Sequence, residues 1–233
     1  MRLDRFLAET TSLTRSTAKK ALHQGLVTVN GEVVRKGDLQ ITDQEVRYQG
    51  QPLSLREPLY LMLNKPEGYI SVTEGDIHPS VLNLVPSEWR ESLHPAGRLD
   101  LDTTGLLLLT DDGQWSHRVT SPRKELGKIY RVWLAEDLDE AVIGQFAEGI
   151  LLKGEAKPTR PATLEIVSPR DVRLQIHEGK YHQVKRMFAA VGNRVVKLHR
   201  EQVGAIVLDP ALEPGQWRHL TPEEVRSVEK GKA

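Results

Sequence analysis

The sequence predicts an α+β protein in which a small N-terminal module of two helices and a β-hairpin precedes a larger domain with a mainly antiparallel sheet. Three observations predict this class. Apolar residues repeat with helical spacing at the start of the chain, a polar stretch follows, and beyond it short β-type runs outnumber helical ones without a βαβ rhythm. We therefore expect a module at 1–43, a linker at 44–58 and the larger domain at 59–233.

The first two elements are predicted to be short helices. Residues 12–16 offer hydroxyl side chains that can cap the start of the second helix, and Gly25 follows its end. The apolar faces of the two helices consist of Leu3, Phe6 and Leu7 and of Ala18, Ala21 and Leu22.

A β-hairpin is predicted next, because two β-branched runs flank the pair Asn30-Gly31. A type I′ turn needs positive φ at both central residues, which Asn and Gly adopt most readily. Residues 43–57 are then mostly polar and end at Pro58, as expected of a linker.

The larger domain contains four predicted strands, two predicted helices and an expected free tail at 229–233. The apolar run at 106–110 suits a central strand that is covered on both faces. The other predicted strands are 60–64, 130–134 and 172–176, and the predicted helices are 141–146 and 183–191.

The composition is that of a soluble globular protein, with 39% hydrophobic and 27% charged residues. No apolar stretch approaches the roughly 20 residues of a membrane helix, and the N-terminus lacks the apolar core of a signal peptide. The chain has 0 Cys, which excludes disulfides and cysteine nucleophiles. We expect a cytoplasmic protein with no membrane contact.

The charges are segregated, although 32 basic and 32 acidic residues give a net charge of zero. Segregated basic runs favour nucleic-acid binding, although each could also be an ordinary solvated face. Two runs contain no acidic residue: Arg15, Lys19 and Lys20, and then Lys180, Lys185, Arg186, Arg194, Lys197 and Arg200.

Familiar catalytic motifs are absent, including the phosphate-binding P-loop and the H-E-x-x-H zinc motif. His177 and His182 are five residues apart with no third ligand nearby, so we expect no metal site. Asp100 and Asp102 lie in a polar loop before a predicted strand. Two such carboxylates suggest chemistry at a glycosidic bond, or each simply caps a turn.

Residues 2–7, 14–18 and 25–31 together resemble an S4 RNA-binding domain. This resemblance implies RNA contact through the second helix and the hairpin, with Arg15, Lys19 and Lys20 on the solvent side of that helix. The alternative is a helix-hairpin module that only caps the larger domain.

Four further pieces follow in order along the chain: Leu63-Asn64-Lys65-Pro66 with Gly68, Gly97-Arg98-Leu99-Asp100 with Thr103 and 105–113, Lys128 with Tyr130, and 179–188. Together with the S4-like start, these pieces resemble the pseudouridine synthases, in the branch that modifies a uridine of small-subunit ribosomal RNA. The resemblance extends over nearly the whole chain.

This resemblance implies roles for individual residues. Asp100 matches the catalytic aspartate, which leaves Asp102 as a carboxylate that holds the loop. Tyr130 matches the active-site tyrosine, and Lys185 matches the basic residue that pairs with the aspartate. Arg98 matches an arginine that fills the gap left by a flipped base, although it could instead bind phosphate or pair with Asp112.

The implied reaction isomerises a uridine and needs no cofactor or metal. The implied partner is 16S ribosomal RNA or a small-subunit assembly intermediate, the expected target is uridine 516, and the protein is expected to be a monomer. Arg186, Arg194 and Arg200 would attract phosphates or form a plain solvated edge. Two alternatives remain: the same chemistry on a 23S uridine, and a non-catalytic RNA-binding assembly factor.

Overall fold

A computed structural model of the chain describes residues 1–55, 57–75, 77–121 and 126–229. The chain forms two compact units, the N-terminal unit Met1–Glu57 and the C-terminal unit Pro58–Ala233. The free tail expected at 229–233 lies outside the described residues from position 230 onward.

The N-terminal unit contains both predicted helices, and their predicted apolar faces are buried in one core. The Thr14 hydroxyl accepts a hydrogen bond of 3.2 Å from the Thr17 backbone N–H and so caps the second helix, as the sequence predicts. The elements are α1 (Leu3–Thr10), α2 (Arg15–His23), β1 (Val27–Val29), β2 (Glu32–Val33), β3 (Val46–Tyr48) and β4 (Gln51–Leu53).

The predicted hairpin is confirmed. Asn30 and Gly31 have φ values of 49° and 84°, and Val29 pairs with Glu32 across the turn. This two-residue connection with positive φ at both positions has the twist that matches paired strands.

Two strands occupy the stretch where the sequence indicates a linker at 44–58. β3 pairs with β1 and with β4, and Val46 is fully buried. The stretch offers too few apolar residues for an alternating pattern to stand out, since Val46 is the only fully buried side chain of the two strands. Tertiary pairing therefore creates strands here, and the two units divide at Glu57 and Pro58.

The C-terminal unit contains every strand and helix that the sequence predicts, together with further strands and two further helices that it does not predict. Its elements are β5 (Tyr60–Lys65), β6 (His94–Pro95), β7 (Thr103–Thr110), α3 (Gly113–Thr120), β8 (Lys128–Leu134), α4 (Ala141–Glu148), β9 (Thr163–Ser168), β10 (Asp171–Ile176), α5 (Gln183–Ala190), β11 (Val195–Val203), β12 (Ile206–Val207), β13 (Trp217–His219) and α6 (Pro222–Glu229).

One sheet organises this unit, with strand order β13-β5-β7-β11-β8-β10-β9 and with β12 and β6 added beside β11 and β7. Among the described strands only β7 and β11 pair in parallel, which confirms the mainly antiparallel prediction. Lys197 and Arg200 of the second basic run lie on β11, an interior strand, and Arg200 is buried there, so this part of the run is not simply the solvated edge considered from the sequence.

The apolar run of β7 is buried on both faces, as predicted. Leu107 and Leu109 belong to a core that includes residues of α4 and α5, while Leu106 and Leu108 belong to the opposite core with residues of α3 and α6. β7 is thus a rigid base for the loop that precedes it. None of the described helices is long and apolar enough to cross a lipid bilayer.

Candidate active site

The loop that carries Asp100 connects β6 to β7 and is held by several hydrogen bonds. Leu99 donates its N–H to the Ser71 hydroxyl at 3.1 Å, and that hydroxyl donates to the Leu99 carbonyl at 3.0 Å. The Thr103 N–H donates to the Asp100 carbonyl at 3.1 Å. The Asp100 backbone is therefore fixed from both sides before any substrate arrives.

Lys65 stabilises the same loop through hydrogen bonds from its buried side chain to backbone carbonyls, a role that could not be predicted from the sequence. Its side chain is fully buried, and Nζ donates to the carbonyls of Thr103 at 2.7 Å, Pro66 at 3.0 Å and Leu101 at 3.4 Å. Burial lowers the pKa of Lys65 to about 8. The sequence places Lys65 at the end of an apolar strand, within the matching piece Leu63-Asn64-Lys65-Pro66, but it does not show that the side chain is buried under the loop.

A cavity of about 850 Å³ opens beside this loop, and we call it the Asp100 cavity. The start of β7, strand β8, the start of α5 and strand β11 contribute to its wall. The residues that matter below are Arg98, Asp100, Lys128, Tyr130, His182 and Lys185. The structure thus brings together the carboxylate, the tyrosine and the lysine that the sequence resemblance selected.

Asp100 presents its carboxylate to the cavity with about a third of the side chain exposed, at 33%. Lys185 Nζ lies 3.4 Å from Oδ2, and His182 Nε2 lies 3.3 Å from Oδ1. The contact of His182 with Asp100 could not be predicted from the sequence, because the two residues are 82 positions apart in the chain. In the described part of the chain, no three His, Asp or Glu side chains are arranged to hold a metal ion.

The closest partner of Lys185 is Asp102 and not Asp100. Nζ lies 2.6 Å from Asp102 Oδ1, so the ammonium bridges both carboxylates. Burial opposes ionisation of Lys185, but the hydrogen bond to Asp102 and the charge of Asp100 together raise its pKa. Burial acts to raise the pKa of Asp102, but the hydrogen bond from Lys185 and the charge of Lys185 together lower it below its ordinary value. Asp102 therefore anchors the cation, in addition to any role in the loop.

Tyr130 lies on β8, opposite Leu174 on one neighbouring strand and Arg200 on the other. Its side chain is 8% exposed and faces the Asp100 cavity. A nearly buried ring on a rigid strand can offer its face to a planar ligand without moving. The catalytic role of Tyr130 remains a prediction.

Arg98 is exposed and lines the Asp100 cavity. Asp112, considered above as an acid for Arg98, instead caps α3 by accepting from the N–H groups of Gln114 and Trp115, and it also accepts from the Tyr60 hydroxyl. Arg98 thus lines the cavity without pairing with Asp112, and its role beside a flipped base remains a prediction.

Arg200 does not lie on a phosphate-accessible face, contrary to the sequence analysis. It is 2% exposed, and Nε donates to the Leu106 carbonyl at 2.8 Å. Its position on the interior strand β11 explains the burial, since a basic run in sequence does not reveal which strand becomes central. Arg200 instead contributes positive charge to the cavity wall.

Arg186 is also used within the fold. Its guanidinium donates to Glu155 at 3.1 Å, to the Tyr181 carbonyl at 2.9 Å and to the Lys153 carbonyl at 2.8 Å. These contacts fix the segment before α5, so a phosphate would have to displace them. Arg194, the third residue of this run that is expected to attract phosphate, is exposed.

The basic side chains of α2 are arranged as the sequence predicts. Arg15, Lys19 and Lys20 are exposed, while Ala18, Ala21 and Leu22 are buried on the opposite side. The helix therefore presents positive charge to solvent with no cost in core packing.

The thermal stability of the C-terminal unit is expected to depend on the protonation of Lys128. Burial, reinforced by the charge of Arg200, lowers the pKa of Lys128 to about 8 from an ordinary 10.5. Between these values the unfolded chain binds a proton that the folded chain lacks, so the free energy of unfolding rises with pH. The thermal midpoint of the wild type should rise relative to that of Lys128→Met between pH 8 and 10. A difference that stays constant over this range would contradict the assignment.

Comparison with known proteins identifies the class. A sequence model of RNA pseudouridylate synthases matches residues 59–190, and a model of the S4 domain matches residues 1–50. The chain is thus an RNA-modifying enzyme with an N-terminal S4 domain. It belongs to the pseudouridine synthase family, which confirms the resemblance found in the sequence.

Relatives of known name match over nearly the whole chain. Ribosomal small subunit pseudouridine synthase A of Yersinia pestis is 52% identical over 230 residues, which cover 98% of each protein. The protein of the same name from Escherichia coli K12 is 50% identical and covers 98% of this chain and 100% of the relative. A crystal structure of a pseudouridylate synthase matches with a TM-score of 0.72 and 50% identity, over 98% and 99% of the two chains.

Proposed function

We propose that this enzyme isomerises one uridine of 16S ribosomal RNA, expected to be uridine 516, with Asp100 as the catalytic carboxylate. The names of the relatives support a small-subunit target. The observation that supports the catalytic assignment is the position of the Asp100 carboxylate. It reaches the cavity from a fixed loop, beside Lys185 and in the same cavity as Tyr130.

The reaction breaks the bond between ribose C1′ and uracil N1, turns the uracil and forms a bond between C5 and C1′. C5 then loses its proton and N1 gains one, so the product is an isomer of the substrate and no electrons are exchanged. Asp100 attacks as a nucleophile or removes the 2′ proton to give a glycal, and both routes need its anionic form. The ammonium of Lys185, 3.4 Å away, holds that anion in place by charge attraction.

Two further residues complete the proposed machinery. Tyr130 stacks on the uracil and relays the proton that C5 loses. A base within folded RNA must be extruded at a cost of a few kcal/mol, and Arg98 occupies the space it leaves. The protein acts as a monomer in the cytoplasm on 16S RNA or on a small-subunit assembly intermediate.

The target is tested by mapping pseudouridines in ribosomal RNA from a strain that lacks this gene. We expect one missing pseudouridine in 16S RNA, restored by the wild-type gene and not by the gene encoding Asp100→Asn. Loss of a mark in 23S RNA would preserve the chemistry and contradict the substrate. If all marks remain, the protein is a non-catalytic assembly factor and the catalytic proposal is wrong.

The basic face of α2 is expected to supply phosphate contacts for RNA binding. Replacement of Arg15, Lys19 and Lys20 together by Ala should weaken RNA binding and reduce the slope of log K against log salt by about 2 to 3, since each phosphate contact contributes about 0.7 to 0.9. Binding of a 16S fragment measured over a salt series checks this. Ser16→Ala, an exposed neutral change on the same helix, should leave the slope unchanged.

A further inference from the structure

Tyr181 stands at the mouth of the Asp100 cavity with an unusually exposed ring. Its side chain lines the cavity, yet the residue is 76% exposed, whereas Tyr130 inside the same cavity is 8% exposed. An aromatic ring stabilises a fold by removing its apolar surface from water. Because most of the Tyr181 ring stays in water, the ring contributes little to the stability of the fold.

The ring of Tyr181 is supported by its neighbour His182. The two rings are stacked, with centroids 3.8 Å apart and planes inclined by 19°. His182 is fixed in turn, because its Nε2 lies 3.3 Å from Asp100 Oδ1 and its carbonyl accepts from the Arg186 N–H at 3.0 Å. One face of the Tyr181 ring is therefore covered by His182, and the exposed area lies on the rest of the ring.

The backbone around this pair is also constrained. His182 adopts a left-handed conformation with φ 45° and ψ 38°, which a non-glycine residue adopts at a cost. The guanidinium of Arg186 donates to the Tyr181 carbonyl at 2.9 Å. Such strain persists only where the surroundings hold it, so the stacked pair is held in one orientation at the cavity mouth.

We propose that Tyr181, supported by His182, is a stacking subsite for the nucleobase adjacent to the uridine that is modified. This inference rests on the proposed function and names a further contact with the same substrate. A flat aromatic surface beside cations is the combination that binds single-stranded nucleic acid, and Arg98 and Lys185 line the same cavity. The target uracil enters toward Asp100 and Tyr130, so the base next to it in the strand remains at the mouth.

The test combines protein variants with RNA that lacks single bases. Affinity for a 16S fragment should fall roughly 5- to 150-fold in Tyr181→Ala, the range for loss of one base stack, while Tyr181→Trp should bind as the wild type does. Because the ring is exposed, the thermal midpoint of Tyr181→Ala should stay unchanged. The same fragment is then made with an abasic site at each nucleotide near the target uridine.

An abasic site at one nucleotide adjacent to the target should weaken wild-type binding as much as Tyr181→Ala weakens binding of the intact RNA. The same abasic site should cause no further loss of affinity in Tyr181→Ala. Wild-type affinity in Tyr181→Ala, additive losses at every position, or coupling at the target uridine itself would each overturn the subsite. If the wild type forms pseudouridine in the fragment while coupling is absent, only the subsite fails. If it forms none in the fragment and none in a small-subunit assembly intermediate, the proposed 16S function fails, and the subsite fails with it.

Discussion

Asp100→Asn is expected to reduce pseudouridine formation by about 10²- to 10⁴-fold, the range for loss of a positioned catalytic acid or base. The amide has the shape of the carboxylate but is neither a nucleophile nor a base at neutral pH. RNA affinity should change by less than about threefold, because most RNA affinity comes from contacts with phosphates. Release of tritium from RNA labelled at uridine C5, followed in a single turnover, measures the chemical step directly.

Asp102→Asn is the matched control, because it makes the same chemical change two residues away on a carboxylate that shares Lys185. Asp102 is 58% exposed, compared with 33% for Asp100. Lys185 would still lie beside Asp100 and could still donate to the new amide oxygen, so we expect turnover to fall less than about tenfold. A loss as large as that of Asp100→Asn would mean that both carboxylates take part in the reaction. Normal turnover in Asp100→Asn would show that Asp100 is misassigned.

The elements whose conformation is determined by residues close together in the chain could be predicted from the sequence. The Asn30-Gly31 turn needs two positive φ values and obtains them from its own residues. The strand after Asp100 is apolar at successive positions because both of its faces are buried. Asp100 itself was selected by family resemblance, since spacing alone left the turn-capping alternative open.

The remaining features depend on partners that are distant in sequence. Arg200 is separated from Leu106 by 94 residues, and its burial follows from the parallel pairing of β11 with β7. The contact between Asp102 and Lys185 spans 83 residues. No local sequence pattern indicates such pairings. The basic run that contains Arg200 therefore predicts a phosphate-binding surface, although Arg200 is buried. Lys65 was missed for the same reason, because the carbonyls of Leu101 and Thr103 that it bonds lie in another strand and loop.

Gly105→Ala is expected to lower the free energy of unfolding by about 3 kcal/mol or more. Gly105 has φ +104°, and a Cβ there would lie 2.3 Å from the carbonyl oxygen of Arg200 and 2.8 Å from its nitrogen. The backbone of Arg200 cannot retreat, because β11 is paired with β7 on one side and with β8 on the other. The thermal midpoint should therefore fall by about 6–12 °C.

Gly113→Ala provides the matched control for this effect. Gly113 begins α3, and among the described atoms none lies within 4 Å of a Cβ added there. Alanine is the better helix former by up to about 1 kcal/mol, so the thermal midpoint should stay constant or rise slightly. A midpoint for Gly105→Ala within about 2 °C of the wild type would mean that β7 and β11 can separate without cost. An equal fall in both variants would show that any added methyl group is harmful, and that the close approach of β7 to β11 is not the cause.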